Sequence, residues 1–423
     1  MSDSSSTRFS NRLSNTGPGT PAGPTLPVAA ENLDPKSIDV GGVEQGKVSF
    51  ENWKGEADRP EPEPPVILPP EKRLGIAVIG LGRLTLNQIL PAFRQSLHAR
   101  PVALVSGRPE KARVVAKQYG IEESSIYGYD EIERMAENKE IDAVYVVTPN
   151  GRHRDHVLAA AKAGKHVLCE KPMANNSAEA REMVDACKQA GVKLMIAYRC
   201  QYELFNVEAA RLTQSGELGR PRIIHATNTQ VHGSGEQWRI RAALSGGGAL
   251  PDIGLYCLNG VRTMLGEDPI EVYAQIVNPE GDARYAEVEE TISFTLRFPS
   301  GVIANCVTSY GAHECKDMEI RLEKGWVSLE NAFAYAGQRM YVAQRHGSGE
   351  QVNEIRISPK NQFTLEIDHF ADGVLSNKTF HTPGEEGVQD HLLMEAIYRS
   401  AREGLPVKID HDSAHKPLPA SQR

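Results

Sequence analysis

The stretch GIAVIGLGRLTLNQILPAF, beginning at Gly75, constrains this chain more than any other. Ile76-Ala77-Val78-Ile79 is a short apolar run of the kind that forms a parallel strand buried on both faces. Directly after it, Leu86, Ile89, Leu90 and Phe93 fall at helical spacing. Between the two stands Gly80-Leu81-Gly82. A strand, a glycine turn and a helix make a mononucleotide cradle. Gly80 permits the tight turn, Gly82 lets the backbone approach a pyrophosphate, and the helix amino terminus aims unpaired N–H groups at that charge. Gly80, Leu81, Gly82, Arg83 and Leu84 are therefore the first expected cofactor contacts. The third glycine of the usual fingerprint is replaced by Thr85, which leaves a purely structural turn as the alternative.

The rest of the chain bounds what such a cradle can serve. With 423 residues there is length for two to three domains. A net charge of -8 and a pI near 6.0 argue against nucleic acid, and no apolar run approaches the roughly 20 residues needed to span a bilayer. The amino terminus lacks the apolar core of a signal peptide, and Arg8 and Arg12 are too far apart for a twin-arginine pair, so a cytoplasmic location is expected. Six cysteines without CxxC spacing suggest buried, reduced thiols rather than zinc or disulfides. His153 and His156 lie one helical turn apart, but no third ligand accompanies them, and no metal is expected.

Three segments follow from composition and period. Residues 1–70 hold 11 of the 26 prolines, among Ser, Thr and Gly and then in PEPEPPVILPP. They read as a partly disordered arm, although Val48, Phe50 and Trp53 leave room for docking on a folded surface. Residues 71–197 alternate strand and helix, which predicts a doubly wound parallel sheet, the Rossmann arrangement. Residues 198–423 alternate with period two, as in Thr291-Ile292-Ser293-Phe294-Thr295-Leu296, and predict an open, mainly antiparallel sheet completed by helices near 363–376 and 388–403. The fold class is thus α/β. Apolar residues on the exposed face of that second sheet would favour a homo-dimer or homo-tetramer.

In doubly wound sheets ligands bind beyond the carboxyl ends of the strands. Those ends carry Gly80 and Gly82, then Ser106 with Arg108, then Pro149-Asn150 followed by His153, then Glu170-Lys171, and finally Tyr198-Arg199. About 20 residues beyond the glycines, NAD sites place a carboxylate. Here Ser106, Arg108 and Lys111 stand instead, a hydroxyl and two cations suited to a 2′-phosphate, so NADP is expected over NAD. Lys171, at a strand end, can polarise a substrate oxygen, with Glu170 tuning its charge, unless it is simply a solvated lysine. Asp252, Tyr256 and Asn259 fall at i, i+4 and i+7 after a flexible Gly246-Gly247-Gly248. They form either an acid/base face or an ordinary amphipathic helix.

With GLG, TPN, CEKP and DIGLY in this order, the chain resembles the Gfo/Idh/MocA family of oxidoreductases. The stretches LVSGRPEKA, LMIAYRCQY, QWRIR and GGGALPDIGLYCLNG are similar to its glucose-fructose oxidoreductase branch. The resemblance runs from about Leu74 to Asp410. It implies that Lys171 and Tyr256 are catalytic and that Asp252 helps place the sugar. It further implies that the EKP motif closes on the nicotinamide and that the serine-lysine stretch holds the NADP 2′-phosphate. Arg199, Tyr202, Trp238 and Arg239 become cofactor or substrate contacts by position, with Tyr202 placed at the substrate, and Asn259, from its helical spacing, is expected beside Lys171, Asp252 and Tyr256 at the substrate. The implied activity oxidises an aldose at C1 to a lactone and reduces a second sugar with retained NADP(H). The rivals are an ordinary dehydrogenase that exchanges its cofactor and a silent NADP-binding regulator. In relatives of that branch a proline-rich arm wraps a neighbouring subunit. The arm here is longer.

Overall fold

The computed structural model describes residues 42–45, 47–49, 65, 67–233, 237–409, 411 and 419–420. The chain divides into two units, residues 1–66 and residues 67–423. In the first, the described part is an antiparallel hairpin of β1 (Gly42–Glu44) and β2 (Lys47–Ser49), with Val43 opposite Val48. Phe50, Trp53 and the prolines at 60–64, on which docking of the arm would rest, lie outside the described residues.

The second unit holds two sheets. β3 (Leu74–Ile79), β4 (Ala99–Val105), β5 (Ile126–Tyr127), β6 (Ala143–Val146), β7 (His166–Glu170) and β8 (Leu194–Ala197) form a six-stranded sheet ordered β5-β4-β3-β6-β7-β8. Every pair in it is parallel. The chain leaves β3 in one direction and returns to β6 on its other side, so a crevice opens between them at the carboxyl ends. Both faces are covered, which is why these strands read as unbroken apolar runs. Ala77, Ile79, Val144, Val146, Val167 and Cys169 pack under the helices His153–Lys162 and Ser177–Gln189. Ile76, Val78, Leu104, Tyr145, Leu168 and Met195 point the other way.

That second face is covered from an unexpected source. The helix Gln362–Leu375, expected to complete the second domain, instead gives Phe363, Ile367, Phe370 and Ala371 to the core of the nucleotide-binding sheet. Asp368 anchors it by accepting from the Ser96 hydroxyl at 2.5 Å and from the N–H groups of Leu97 and His98. The physical reason is a gap. On this side the helical residues 83–93 and the helix Pro109–Tyr119 contribute Leu90, Phe93, Ala112 and Val115 but do not by themselves complete the core.

The second sheet comprises β9 (Pro221–Thr229), β10 (Glu271–Val277), β11 (Thr291–Arg297), β12 (Ile303–Ser309), β13 (Cys315–Leu322), β14 (Gly325–Glu330), β15 (Arg339–His346), β16 (Gly349–Ile355) and β17 (Val407–Lys408). Its order is β16-β15-β14-β13-β9-β12-β11-β10-β17. The pairs are antiparallel except β9 with β12. Ile292, Phe294 and Leu296 face inward with Leu258, Val261 and Ile397 of the covering helices. Ile223, Tyr273, Ile303 and Val307 are exposed on the other face, interspersed with His225, Gln275, Ser293 and Arg297. That face mixes apolar and polar side chains, because the large apolar residues of β11, Ile292, Phe294 and Leu296, all point inward. Among the described residues no helix is long and apolar enough to cross a membrane.

Candidate active site

The glycine turn is built for close approach. Gly80 has φ +102°, and a Cβ there would meet the Val147 carbonyl oxygen at 2.7 Å. Gly82 is exposed, with nothing within 4 Å of where a Cβ would stand, so its backbone is open to a ligand. Thr85 replaces the missing third glycine in an active way. Its buried hydroxyl donates to the Gly80 carbonyl at 2.6 Å, and Thr85–Ile89 form a π-turn within the helical residues 83–93. A hydroxyl and a widened turn thus join helix to loop where a glycine would let them touch directly.

The three residues expected to meet a 2′-phosphate play different parts. Ser106 Oγ accepts the Arg108 N–H at 3.1 Å and shapes the turn after β4. Lys111 Nζ donates to the Leu81 carbonyl at 2.8 Å and so braces the glycine loop. Arg108 is exposed at the amino end of the helix Pro109–Tyr119. At the end of β6, the Asn150 carboxamide donates to the Ser245 carbonyl at 2.8 Å, which leaves Pro149-Asn150 tied to the glycine run of the second domain. The His153 ring nitrogens lie 2.7 Å from Thr148 O and 3.0 Å from Pro172 O, pinning the ends of β6 and β7 together. His156 stacks on Tyr129 and contacts the Thr148 hydroxyl, and burial lowers its pKa to about 4. Among the described residues no group of three or more His, Cys, Asp or Glu could hold a metal.

One rim gathers the residues expected to carry chemistry. Lys171 ends its strand with Nζ 2.6 Å from the backbone carbonyl of Asp252, 3.8 Å from Asp252 Oδ1 and 4.3 Å from the Tyr256 ring centroid. The other carboxylate oxygen, Asp252 Oδ2, accepts from Arg239 Nε at 3.0 Å and Tyr310 Oη at 2.8 Å. The Arg239 guanidinium in turn lies 4.6 Å from the Trp238 ring. Arg199 lies 4.6 Å from the rings of both Tyr256 and Tyr335, with its Nη1 donating to Gln362 Oε1 and its Nη2 to the Phe333 carbonyl. It serves as a platform for Tyr256. Below Lys171, Glu170 accepts the Tyr145 hydroxyl at 2.8 Å and the Lys171 N–H at 3.2 Å.

Electrostatics sharpen this picture. Burial pushes the Lys171 pKa down, and the Asp252 and Glu170 carboxylates hold it partway up. For Asp252, burial alone would raise the pKa, but Arg239 and then Lys171 leave it below the ordinary value, so it stays ionised. Burial raises Tyr256, against the pull of Arg199. The arrangement is a phenol able to exchange a proton, an ammonium whose proton is loosened, and a fixed carboxylate with one oxygen facing the ammonium.

Two expected substrate residues have their side-chain polar atoms engaged elsewhere, although Asn259 lines one cavity with Lys171 and Tyr256. The Asn259 carboxamide donates to Glu386 and Asp390 at 3.0 and 2.9 Å and accepts from Gln201. It belongs to a buried ion cluster in which Arg262 meets Asp268, Glu386 and Asp390. Helical spacing put Asn259 on the Tyr256 face, but that buried cluster has claimed its polar atoms. Tyr202 lies among the core residues on the other face of the parallel sheet, with its hydroxyl 3.1 Å from Thr382 Oγ1 and its ring stacked on His381. Gly246-Gly247-Gly248, read as flexible, is held: the N–H groups of Gly248 and Leu250 donate to Glu289 at 2.9 and 2.7 Å. The sequence reading missed Tyr310, Tyr335, Gln362 and Glu289, which no spacing relates to the residues they hold.

Residues 74–198 match the family model of an oxidoreductase family with an NAD-binding Rossmann fold, and residues 206–328 match the GFO/IDH/MocA C-terminal domain. The chain is 32% identical over 339 residues to the D-xylose 1-dehydrogenase [NADP(+)] of Haloarcula marismortui, covering 79% of this chain and 92% of that one. It is 29% identical to the 1,5-anhydro-D-fructose reductase of Ensifer adhaerens, over 79% and 98% of the two chains. The solved aldose-aldose oxidoreductase of Caulobacter crescentus, in complex with glycerol, superposes with a TM-score of 0.77 at 43% identity, covering 80% of this chain and all of that one.

Proposed function

Given that the chain belongs to the Gfo/Idh/MocA oxidoreductase family, we propose that it is an NADP-dependent sugar oxidoreductase that oxidises an aldose at C1 and reduces a second sugar carbonyl. The observation that carries this reading is the meeting of Lys171, Asp252 and Tyr256 at the carboxyl rim of the Rossmann sheet. An open Gly82 backbone and a Gly80 position that excludes any Cβ fit a bound dinucleotide, and the exposed Arg108 favours NADP. Bound NADP would supply the hydride acceptor and, in reverse, the donor.

The chain's own residues do the rest. Tyr256, kept a phenol by burial, gives its proton to the carbonyl oxygen when a sugar is reduced, and the phenolate so formed takes the proton of the C1 hydroxyl as the C–H bond of the aldose breaks. Lys171 steadies the charge that builds on that oxygen, and its depressed pKa keeps its proton exchangeable. Asp252 accepts from a neighbouring sugar hydroxyl, with Arg239 and Tyr310 fixing the carboxylate plane. Burial of all three strengthens each of these interactions. Lys171→Met and Tyr256→Phe should still bind nucleotide yet lose about 10²-fold or more in turnover, the usual scale for an acid/base group. Near-normal turnover of Tyr256→Phe removes it from the mechanism.

The names of relatives favour a second reading, an ordinary dehydrogenase that exchanges its cofactor. Protein that co-purifies with NADP(H) and converts two sugars without added nucleotide supports the first reading. Protein that emerges empty and needs free NADP in every cycle establishes the second. On the first reading, deletion of residues 1–70 should make the nucleotide dialysable. We further propose assembly as a dimer or tetramer through the open face of the second sheet, which a monomer in light scattering at micromolar concentration contradicts.

A further inference from the structure

Behind Lys171 the structure buries two carboxylates against one phenol. The Tyr145 hydroxyl lies 2.8 Å from Glu170 Oε1 and 3.2 Å from Glu366 Oε1. Glu366 is 0% exposed, and its second oxygen, Oε2, has no hydrogen-bond partner. Tyr145 is likewise 0% exposed. A phenol has a single proton, so it can donate to one of the two carboxylates only. It can accept from the other if that group carries a proton. Two ionised carboxylates on one buried hydroxyl would leave a repulsive pair with an unsatisfied oxygen. A neutral Glu366 removes the repulsion and turns the unpaired Oε2 into an uncharged carbonyl oxygen, which is cheaper to bury, and an acid donating to Tyr145, with Tyr145 donating to Glu170, uses every proton once.

The surroundings agree with this. Burial, then the charge of Glu170, drives Glu366 well above the ordinary carboxylate range. Burial raises Glu170 as well, while Lys171 pulls it down. The groups facing the pair are Tyr145 at the end of β6, Lys171 at the end of β7, and Arg199 and Cys200 after β8. Since Arg199 is also the platform under Tyr256, the charge of this pair is felt by both groups of the acid/base site.

We infer that Glu366 is a positioning residue of this site, holding one proton between itself and Glu170 through Tyr145 and so fixing how much negative charge stands behind Lys171. Its influence on catalysis rests on the proposed reaction, whereas the proton itself does not. Infrared spectra of the full-length protein test the proton without any substrate. Near neutral pH the wild type should show the C=O stretch of a buried carboxylic acid, and Glu366→Gln should lack it. The pH profile of kcat/KM tests the positioning. Ionisation of the pair at alkaline pH adds a step to the wild-type profile that the permanently neutral Gln variant lacks. Should Glu366→Gln fail to fold, Tyr145→Phe keeps the test alive, since loss of the bridge should move the acid band to higher frequency. A wild-type spectrum without the band, a band that survives Glu366→Gln or ignores Tyr145→Phe, or superimposable pH profiles each overturn the inference.

Discussion

Replacing Asp252 by Asn separates the charge that Lys171 feels from the contact that positions it. The Lys171 ammonium donates to the backbone carbonyl of residue 252 at 2.6 Å, a bond that any side chain leaves in place. The carboxylate itself lies 3.8 Å away. At an effective dielectric of about 20, two unit charges at that distance attract by about 4 kcal/mol. Arg239 shares the same carboxylate at 3.0 Å, and Glu170 stays behind Lys171, so about half of this attraction is lost to Lys171. The sign follows from which form is favoured. Asp252 stabilises the ammonium, so its removal lowers a pKa already depressed by burial. In the Asn variant the alkaline limb of kcat should therefore fall at a pH lower by about one to two units, measured under saturating sugar and nucleotide. An alkaline limb that stays in place, or moves upward, refutes the electrostatic role assigned to this pair.

Cofactor choice should divide between two residues. Arg108→Ala should weaken NADP about tenfold or more relative to NAD, the scale of a lost charge-assisted hydrogen bond, in fluorescence titrations. Lys111→Ala should weaken both nucleotides, because it removes the brace on the Leu81 carbonyl, and equal losses for the two nucleotides in Arg108→Ala would sink the phosphate assignment. Gly248→Ala should cost about 3 kcal/mol in calorimetry, since the new Cβ would sit 1.9 Å from the Glu289 carbonyl oxygen; a melting temperature within a degree of wild type would show that the Glu289 loop gives way.

The sequence made the parallel sheet readable because both of its faces are covered, and a strand such as Ala143–Val146 then has no polar position to confuse it. Lys171 was legible for a related reason: a charged residue directly after a buried strand must stand at the rim. Asn259 and Tyr202 show where local pattern stops. Helical or sequential proximity says which side chains share a neighbourhood, but not which partner, Tyr256 or Asp390, wins their polar atoms. Tyr310 and Glu366 were invisible because their partners lie 58 and 221 residues away in the chain. Lys111 was legible as a cation near the loop, whereas its bond to a carbonyl depends on the path of the glycine turn itself.

The helix Gln362–Leu375, lying over the parallel sheet, bears on how this protein is made. Ser96 and Asp368 are joined across 272 residues of sequence, so during synthesis the nucleotide-binding half emerges with one apolar face incompletely covered and waits for the chain to reach the helix that begins at Gln362. Contacts so remote slow folding and leave sticky intermediates exposed. A newborn chain of this kind needs shelter on the ribosome until roughly its last seventh arrives, and a stop codon placed before residue 362 would yield an aggregating fragment in place of a usable Rossmann domain.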